Sequence, residues 1–359
     1  MLHAVVMAGG SGTRFWPMSR HQRPKHLLAL AGSGTLIQQA VRRISPLVGP
    51  ERTWVITGAS HADEVRRQLP QLPSQSIVAE PCRRDTAPCI ALAAAIIAQV
   101  DPDATMVVMP ADQVIEPEAD FRQCVSVAES LVAEDRRRLV TIGVAPDRPA
   151  TGYGYIHRSE QLARGDSARV FRVQSFREKP ARELAEKFLA SGEFYWNSGI
   201  FVWSARTIRD ELRQARPALD AAVERVAAAW SGPDRDEVLA REYAAIEPIS
   251  IDYAVLERAA HVAVVEATFR WDDVGSWGAI KRLRGSDAAG NTVAGRHCGL
   301  DTSASIVLTD DDHVVATIGV HNLVIVQCGN ATLVADRDRE ESVKQLVELM
   351  KRSGLETFL

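Results

Sequence analysis

The chain has 359 residues, 46% of them hydrophobic, which is enough for a large core and, at this length, for more than one compact unit. Its 42 basic and 46 acidic residues leave a net charge of −4, so no global field draws it to nucleic acid or to an anionic membrane, and any anion site must be local. Five cysteines, Cys82, Cys89, Cys124, Cys298 and Cys328, form no C-x-x-C pair and are odd in number, which speaks against a disulfide framework or a zinc site and for a reducing, cytoplasmic setting.

The chain opens on an apolar run, Ala4-Val5-Val6-Met7, that reads as a buried strand. It runs into Ala8-Gly9-Gly10-Ser11-Gly12-Thr13-Arg14-Phe15-Trp16-Pro17, followed by Pro24-Lys25. A strand that ends in a glycine-rich, basic loop is a phosphate cradle: the glycines let backbone N–H groups approach a polyphosphate, and Arg14 and Lys25 add positive charge. The spacing fits neither G-x-G-x-x-G nor G-x-x-x-x-G-K-[ST], and a tight turn that merely needs glycine is the alternative.

Strands follow at residues 54–57, 77–80, 106–109 and 139–144, with helical patterns between them, an alternation that predicts a mainly parallel sheet covered on both faces. Ligands bind such sheets beyond the carboxyl ends of the strands. Glu80 sits at such an end, where a carboxylate can accept both the N1–H and the exocyclic amine of guanine. Asp85 and Thr86 then either meet a ligand or cap the alanine-rich helix at residues 87–100, with Pro88 in its first turn. That helix is too short to span a bilayer. Asp112, after Met109-Pro110-Ala111, suits a magnesium ion held against a phosphate, although an aspartate there caps a helix equally well.

The middle section, residues 150–285, mixes strands at 169–176 and 200–203 with helices and is suited to form a lid over a second substrate. Glu178-Lys179 offers a carboxylate for a sugar hydroxyl and an ammonium for a phosphate, or an ordinary surface ion pair. Asn197, in Trp196-Asn197-Ser198-Gly199 just before the strand at 200–203, can donate to and accept from a hydroxyl, or simply make a turn. Asp273, in Arg270-Trp271-Asp272-Asp273-Val274-Gly275-Ser276-Trp277 after the strand-like residues 262–269, supplies a second carboxylate for the same magnesium ion. From residue 290 short β runs at 305–308, 314–318, 323–326 and 332–335 precede a final helix at 340–351, which reads as a small β appendage of abbreviated β-helix type. No internal repeat is evident. The division expected is residues 1–287 for a catalytic domain and 288–359 for the appendage.

The histidines are scattered, with His21, His26 and His61 expected in loops or at the surface, and no serine stands in G-x-S-x-G. No signal-peptide pattern precedes the first strand.

These motifs, in order, resemble the sugar nucleotidyltransferases, and within them the branch that joins GTP to mannose 1-phosphate. The resemblance runs through Gly9-Gly10-Ser11-Gly12-Thr13-Arg14, Pro24-Lys25, Arg84-Asp85-Thr86-Ala87-Pro88, Pro110-Ala111-Asp112, Thr151-Gly152-Tyr153-Gly154-Tyr155-Ile156, Glu178-Lys179-Pro180, Trp196-Asn197-Ser198-Gly199-Ile200-Phe201, Ile251-Asp252-Tyr253-Ala254 and Asp273-Val274-Gly275-Ser276-Trp277. Two departures stand out: Asp85 where that family has asparagine, and Ala111-Asp112-Gln113 where it has Ser-Asp-His.

The resemblance implies a Rossmann-like nucleotidyltransferase fold and transfer of GMP from GTP to mannose 1-phosphate, giving GDP-mannose and pyrophosphate with Mg2+ as cofactor. Arg14, Lys25, Asp112 and Asp273 become the catalytic set, with Asp112 and Asp273 on the metal. Gly9, Gly10, Ser11, Gly12, Thr13, Glu80, Asp85, Thr86 and Pro88 fall to the nucleotide, and Gly154, Glu178, Lys179, Asn197 and Asp252 to the sugar phosphate. A fused isomerase domain is not expected at this length, a homodimer is compatible, and another sugar 1-phosphate or a non-catalytic sensor of sugar nucleotides is the alternative.

Overall fold

The computed structural model describes residues 1–10, 12–164 and 168–359; Ser11, assigned above to the phosphate loop, lies outside the described residues. Two compact units form, each from separate stretches of chain. The large one takes Met1–Gly9, Ala40–Ala111 and Ile115–Trp271, and the small one Gly10–Gln39, Asp112–Val114 and Asp272–Leu359.

The strands of the first 272 residues are β1 (Leu2–Ala8), β2 (Thr53–Gly58), β3 (Ile77–Glu80), β4 (Thr105–Pro110), β5 (Val114–Glu116), β6 (Leu139–Val144), β7 (Tyr155–Arg164), β8 (Arg169–Arg177), β9 (Phe194–Ser204), β10 (Val262–Glu266) and β11 (Arg270–Asp272). β5 and β11 pair as a ribbon. The other nine make one sheet in the order β3-β2-β1-β4-β9-β6-β10-β8-β7. β3, β2, β1 and β4 pair in parallel, as do β6 and β10, while β9 runs against β4 and β6, and β8 against β10 and β7. A mainly parallel sheet of this kind must be covered on both faces, which is why β1, β2, β4 and β6 read as nearly unbroken apolar runs.

The helices are α1 (Leu36–Ile44), α2 (Ala62–Gln68), α3 (Thr86–Val100), α4 (Glu118–Glu134), α5 (Arg182–Ser191), α6 (Ala205–Ala215), α7 (Pro217–Ala228) and α8 (Arg235–Ala244). α3 is the alanine-rich helix expected from the sequence. It is buried on every side from Ala87 to Ile97 and packs on α6 and α7, so it has no polar face to display.

Trp196-Asn197-Ser198-Gly199 does not precede a strand but lies inside β9, where the pairing with β6 shifts register between Thr141 and Gly143 and Gly199 adopts φ +72°. A bulge of this kind admits residues that would otherwise end a strand.

The small unit begins with the 3-10 turns Thr13–Phe15 and Lys25–Leu27 and continues with α9 (Trp277–Arg284), β12 (Thr292–Ala294), β13 (Arg296–Leu300), β14 (Ile306–Leu308), β15 (Val314–Ile318), β16 (Leu323–Cys328), β17 (Ala331–Asp336) and α10 (Val343–Arg352). β12, β14 and β16 stack in parallel, as do β13 and β15, giving the short β-helix, and β17 closes it antiparallel to β16. Its rungs differ in length, since Thr292 faces Ile306 whereas Ile306 faces Val324, so the sequence carries no fixed period.

Phe15, Trp16 and Leu28 from the first stretch share one apolar core with Trp277, Ile306, Val324 and Val343. His26 is buried here at 1% exposure rather than lying at the surface, because its 3-10 turn packs inward between Lys25 and Leu27. The last helix starts at Val343 rather than 340, after a 3-10 stretch at Arg337–Ser342. Among the described residues no helix is long and apolar enough to cross a membrane.

Candidate active site

The sequence candidates fall into three clusters. The first lies in the small unit, around Lys25. Gly12 takes φ +59°, and a Cβ built there would come within 2.8 Å of the Lys25 backbone nitrogen, so only glycine lets the loop close on Lys25. The Ser19 hydroxyl fastens that turn by donating to the Gly12 carbonyl at 2.6 Å. Lys25, with its side chain 10% exposed, donates from Nζ to Asp112 Oδ2 at 2.7 Å and to the Asp273 carbonyl. One ammonium therefore ties the segments of both proposed metal ligands together. Arg14 is exposed on its turn, and no ion pair engages it among the described residues.

Neighbouring groups hold the Asp273 loop. Asp272 accepts from the Val274 N–H at 2.8 Å and pairs with the Arg282 guanidinium at 2.6 and 3.1 Å. Glu340 accepts from the Ser276 hydroxyl at 2.7 Å and the Gly278 N–H at 2.6 Å, capping α9 from far along the chain. No local motif announces this cap. Among the described residues no three His, Cys, Asp or Glu side chains converge on one point. Two hard carboxylates completed by phosphate oxygens and water are a donor set that suits magnesium.

The second cluster, in the large unit, surrounds β3 and the start of α3. Asp85 has φ +69° and caps α3 through Oδ1, which accepts from the Thr86 N–H at 2.7 Å. The Thr86 hydroxyl accepts from the Ile251 N–H at 2.9 Å, and Pro88 is buried in the first turn, where its missing N–H costs nothing. Glu80, half-buried, accepts through Oε1 from the phenol of Tyr243. Burial raises the Glu80 carboxyl, and that phenol and Arg83 pull it back down.

The third cluster, also in the large unit, joins Gly154, Glu178, Lys179, Asn197 and Asp252. A Cβ on Gly154 would lie 2.5 Å from Glu178 Oε2, so glycine makes room for that carboxylate, and the Gly154 carbonyl accepts from the Asn197 N–H at 2.8 Å. Lys179 pairs with Glu178 at 2.9 Å. The Asn197 amide is largely spoken for: its oxygen accepts from the Gly199 N–H at 3.1 Å and the Thr141 hydroxyl at 3.4 Å, and its nitrogen donates to Asp252 Oδ1 at 2.7 Å. One amide N–H is left for a ligand. Asp252 opens a π-helical turn, Asp252–Leu256, a geometry often found at functional sites.

Burial and the nearby Glu178 push the Asp252 carboxyl up to about 6. Its folded value lies above its unfolded one, so the stability available with the carboxyl protonated is fully present below about pH 4 and is lost as pH rises through about 6, the window in which folding takes up a proton. Asp252→Asn is therefore expected to stabilise the ligand-free protein at pH 7.5 by on the order of 3 kcal/mol, with the gain vanishing near pH 4. Urea midpoints of variant and wild type across that range check it; an equal gain at both ends would show that ionisation is not the cause.

A family model described as nucleotidyl transferase matches residues 3–288. The chain belongs to the nucleotidyl transferase family. A second model, a mannose phosphate isomerase/GMP-like beta-helix domain, matches residues 295–350 of this nucleotidyl transferase. The chain is 41% identical over 357 residues to the mannose-1-phosphate guanylyltransferase of Klebsiella pneumoniae, covering 98% of this chain and 74% of that protein. The Escherichia coli enzyme of the same name matches with the same identity and coverage. Among solved structures, the mannose-1-phosphate geranyltransferase of Thermus thermophilus superposes with a TM-score of 0.86 at 34% identity, covering 98% of this chain and 99% of that one.

Proposed function

We propose that this nucleotidyl transferase moves GMP from GTP to mannose 1-phosphate. A phosphate oxygen of the sugar attacks the α-phosphorus, the bond from that phosphorus to the bridging oxygen breaks, and pyrophosphate leaves with the electron pair. Near-full-length relatedness to two proteins named for this activity carries the reading. The acceptor-only carboxylate of Glu80 supports guanine in particular, since guanine offers two adjacent donors where adenine offers one donor beside an acceptor.

No protein nucleophile is needed; two polyanions must be neutralised and aligned. We assign Asp112 and Asp273 to Mg2+, which when bound supplies positive charge against the phosphates. The backbone of the Gly9–Thr13 loop, Arg14 and Lys25 hold the triphosphate and steady the departing pyrophosphate. Asp85, Thr86 and Pro88 shape the nucleotide loop. Lys179 holds the acceptor phosphate, and Glu178, Asn197, Asp252 and the Gly154 backbone orient the sugar. We take residues 1–287 as the catalytic domain and 288–359 as the β appendage, in a cytoplasmic homodimer. The free state of all five cysteines suits the cytoplasm, and exposed Leu300, Val314 and Ile318 suit self-association.

Pyrophosphate release with GTP, ATP, UTP and dTTP against mannose, glucose and heptose 1-phosphates tests the reading. The expected result is a kcat/KM for GTP with mannose 1-phosphate at least about tenfold above every other pair, a preference of at least about 1.4 kcal/mol. A geranyl diphosphate arm is expected to give no product. Equal or better turnover with another pair would replace the assignment.

A further inference from the structure

Tyr243 is completely buried in the last turn of α8, yet its hydroxyl does not serve packing: it donates to Glu80 Oε1, across 163 positions of sequence. The backbone around it is fastened to the loop that follows Glu80. The Arg84 guanidinium donates to the carbonyls of Tyr243, at 3.2 Å, and Ala244; the Ile249 N–H donates to the Arg84 carbonyl at 3.2 Å; and the Ala87 N–H donates to the Ile249 carbonyl at 3.1 Å. The phenol thus reaches Glu80 from a rigid support. Its bond uses one of the four lone pairs of the carboxylate, leaving enough to accept two further N–H groups.

We propose that Tyr243 is a specificity-determining positioning residue, whose phenol fixes the orientation of the Glu80 carboxylate and keeps it an acceptor at both oxygens, so that a base with two adjacent donors is chosen over adenine. The inference rests on Glu80 reading the base. An ionised carboxylate presents two acceptors and matches the N1–H and N2–H of guanine. A protonated one presents a donor beside an acceptor and matches adenine instead. Burial favours the protonated form, and the groups that face Glu80 to oppose or modulate this are the Tyr243 phenol, Arg83 and the thiol of Cys89, while the Cys82 thiol acts on Tyr243. Removing the phenol removes the nearest donor to the ionised form.

The test is kcat and KM for GTP and for ATP, with mannose 1-phosphate, at pH 6 and pH 8, in wild type, Tyr243→Phe, Glu80→Gln and the double variant. Phenylalanine fills the same volume. The expected result for Tyr243→Phe is a GTP KM raised about tenfold with kcat within about threefold, and a GTP-to-ATP preference that falls about tenfold at pH 8 and further at pH 6. Glu80→Gln, which carries a donor beside an acceptor at every pH, is expected to lose the preference without pH dependence, and adding Tyr243→Phe to it is expected to change nothing more. A wild-type GTP preference that Tyr243→Phe leaves intact at both pH values overturns the role of Tyr243 alone. Wild type that does not distinguish GTP from ATP overturns it together with the reading of Glu80. Should Tyr243→Phe fail to fold, Glu80→Gln decides: a preference kept, or one that still varies with pH, overturns the inference.

Discussion

Replacing Asp112 with alanine is expected to slow turnover by about a hundred- to a thousandfold, a barrier increase on the order of 3–4 kcal/mol, with little change in the KM for mannose 1-phosphate. The expectation follows from where the carboxylate sits. Its Oδ2 is 2.7 Å from Lys25 Nζ, and Lys25 also donates to the Asp273 carbonyl, so Asp112 anchors a group that links both acidic segments. The Asp112 side chain is 34% exposed, able to meet a ligand, whereas Lys25 is 10% exposed and depends on its protein partners. Asp112→Asn keeps the shape and a hydrogen-bond acceptor but not the charge. If it fails as badly as alanine, charge is what matters. Initial rates of pyrophosphate release across a magnesium titration check both variants, and turnover within a few-fold of wild type would remove Asp112 from the catalytic set.

Truncating Trp277 is expected to have the largest effect on stability. The side chain is fully buried and meets Phe15 edge to face, with ring centroids 4.9 Å apart, at the centre of the core of the small unit. Trp277→Ala should cost about 3–5 kcal/mol through lost burial and the cavity left behind. Trp277→Phe should cost clearly less than its lost volume suggests, because the indole N–H is buried with no hydrogen-bond partner among the described residues and its removal relieves that penalty. Thermal midpoints of the two variants check this. Trp277 also begins α9, four residues after Asp273, so the alanine variant should lose activity at temperatures where wild type keeps it.

Much of the architecture was legible because its physics is local. The runs that became β1, β2, β4 and β6 are apolar along their whole length, as a sheet buried on both faces requires. The Gly12 and Pro24-Lys25 segments read as a phosphate cradle or a tight turn from residue type alone, and the fold closes Gly12 on Lys25, whose ammonium meets Asp112. What escaped notice is non-local. Glu340 looks like an ordinary start to a final helix, and only the fold brings its carboxylate to Ser276 and Gly278. Tyr243 is one aromatic residue in a helix of ordinary composition, and nothing near it in sequence points to Glu80. β13, Arg296–Leu300, is short, largely exposed and contains a glycine, so it lacks the alternation that marks a strand. The segment at Asn197 reads as standing just before a strand because Asn, Ser and Gly disfavour strands, and the register shift that admits them belongs to the partner strand as much as to β9.

The shared core of the small unit has a consequence for how the molecule can be cut. Phe15 and Trp16, which precede Lys25, and Leu28, which follows it, share a core with residues that lie beyond position 300, among them Ile306, Val324, Leu333 and Val347. A protease that severed the chain near residue 290 and released the tail would leave those early aromatic and aliphatic groups facing water. The loop proposed to hold the triphosphate would then lose its support although every residue proposed for catalysis remained in the surviving fragment.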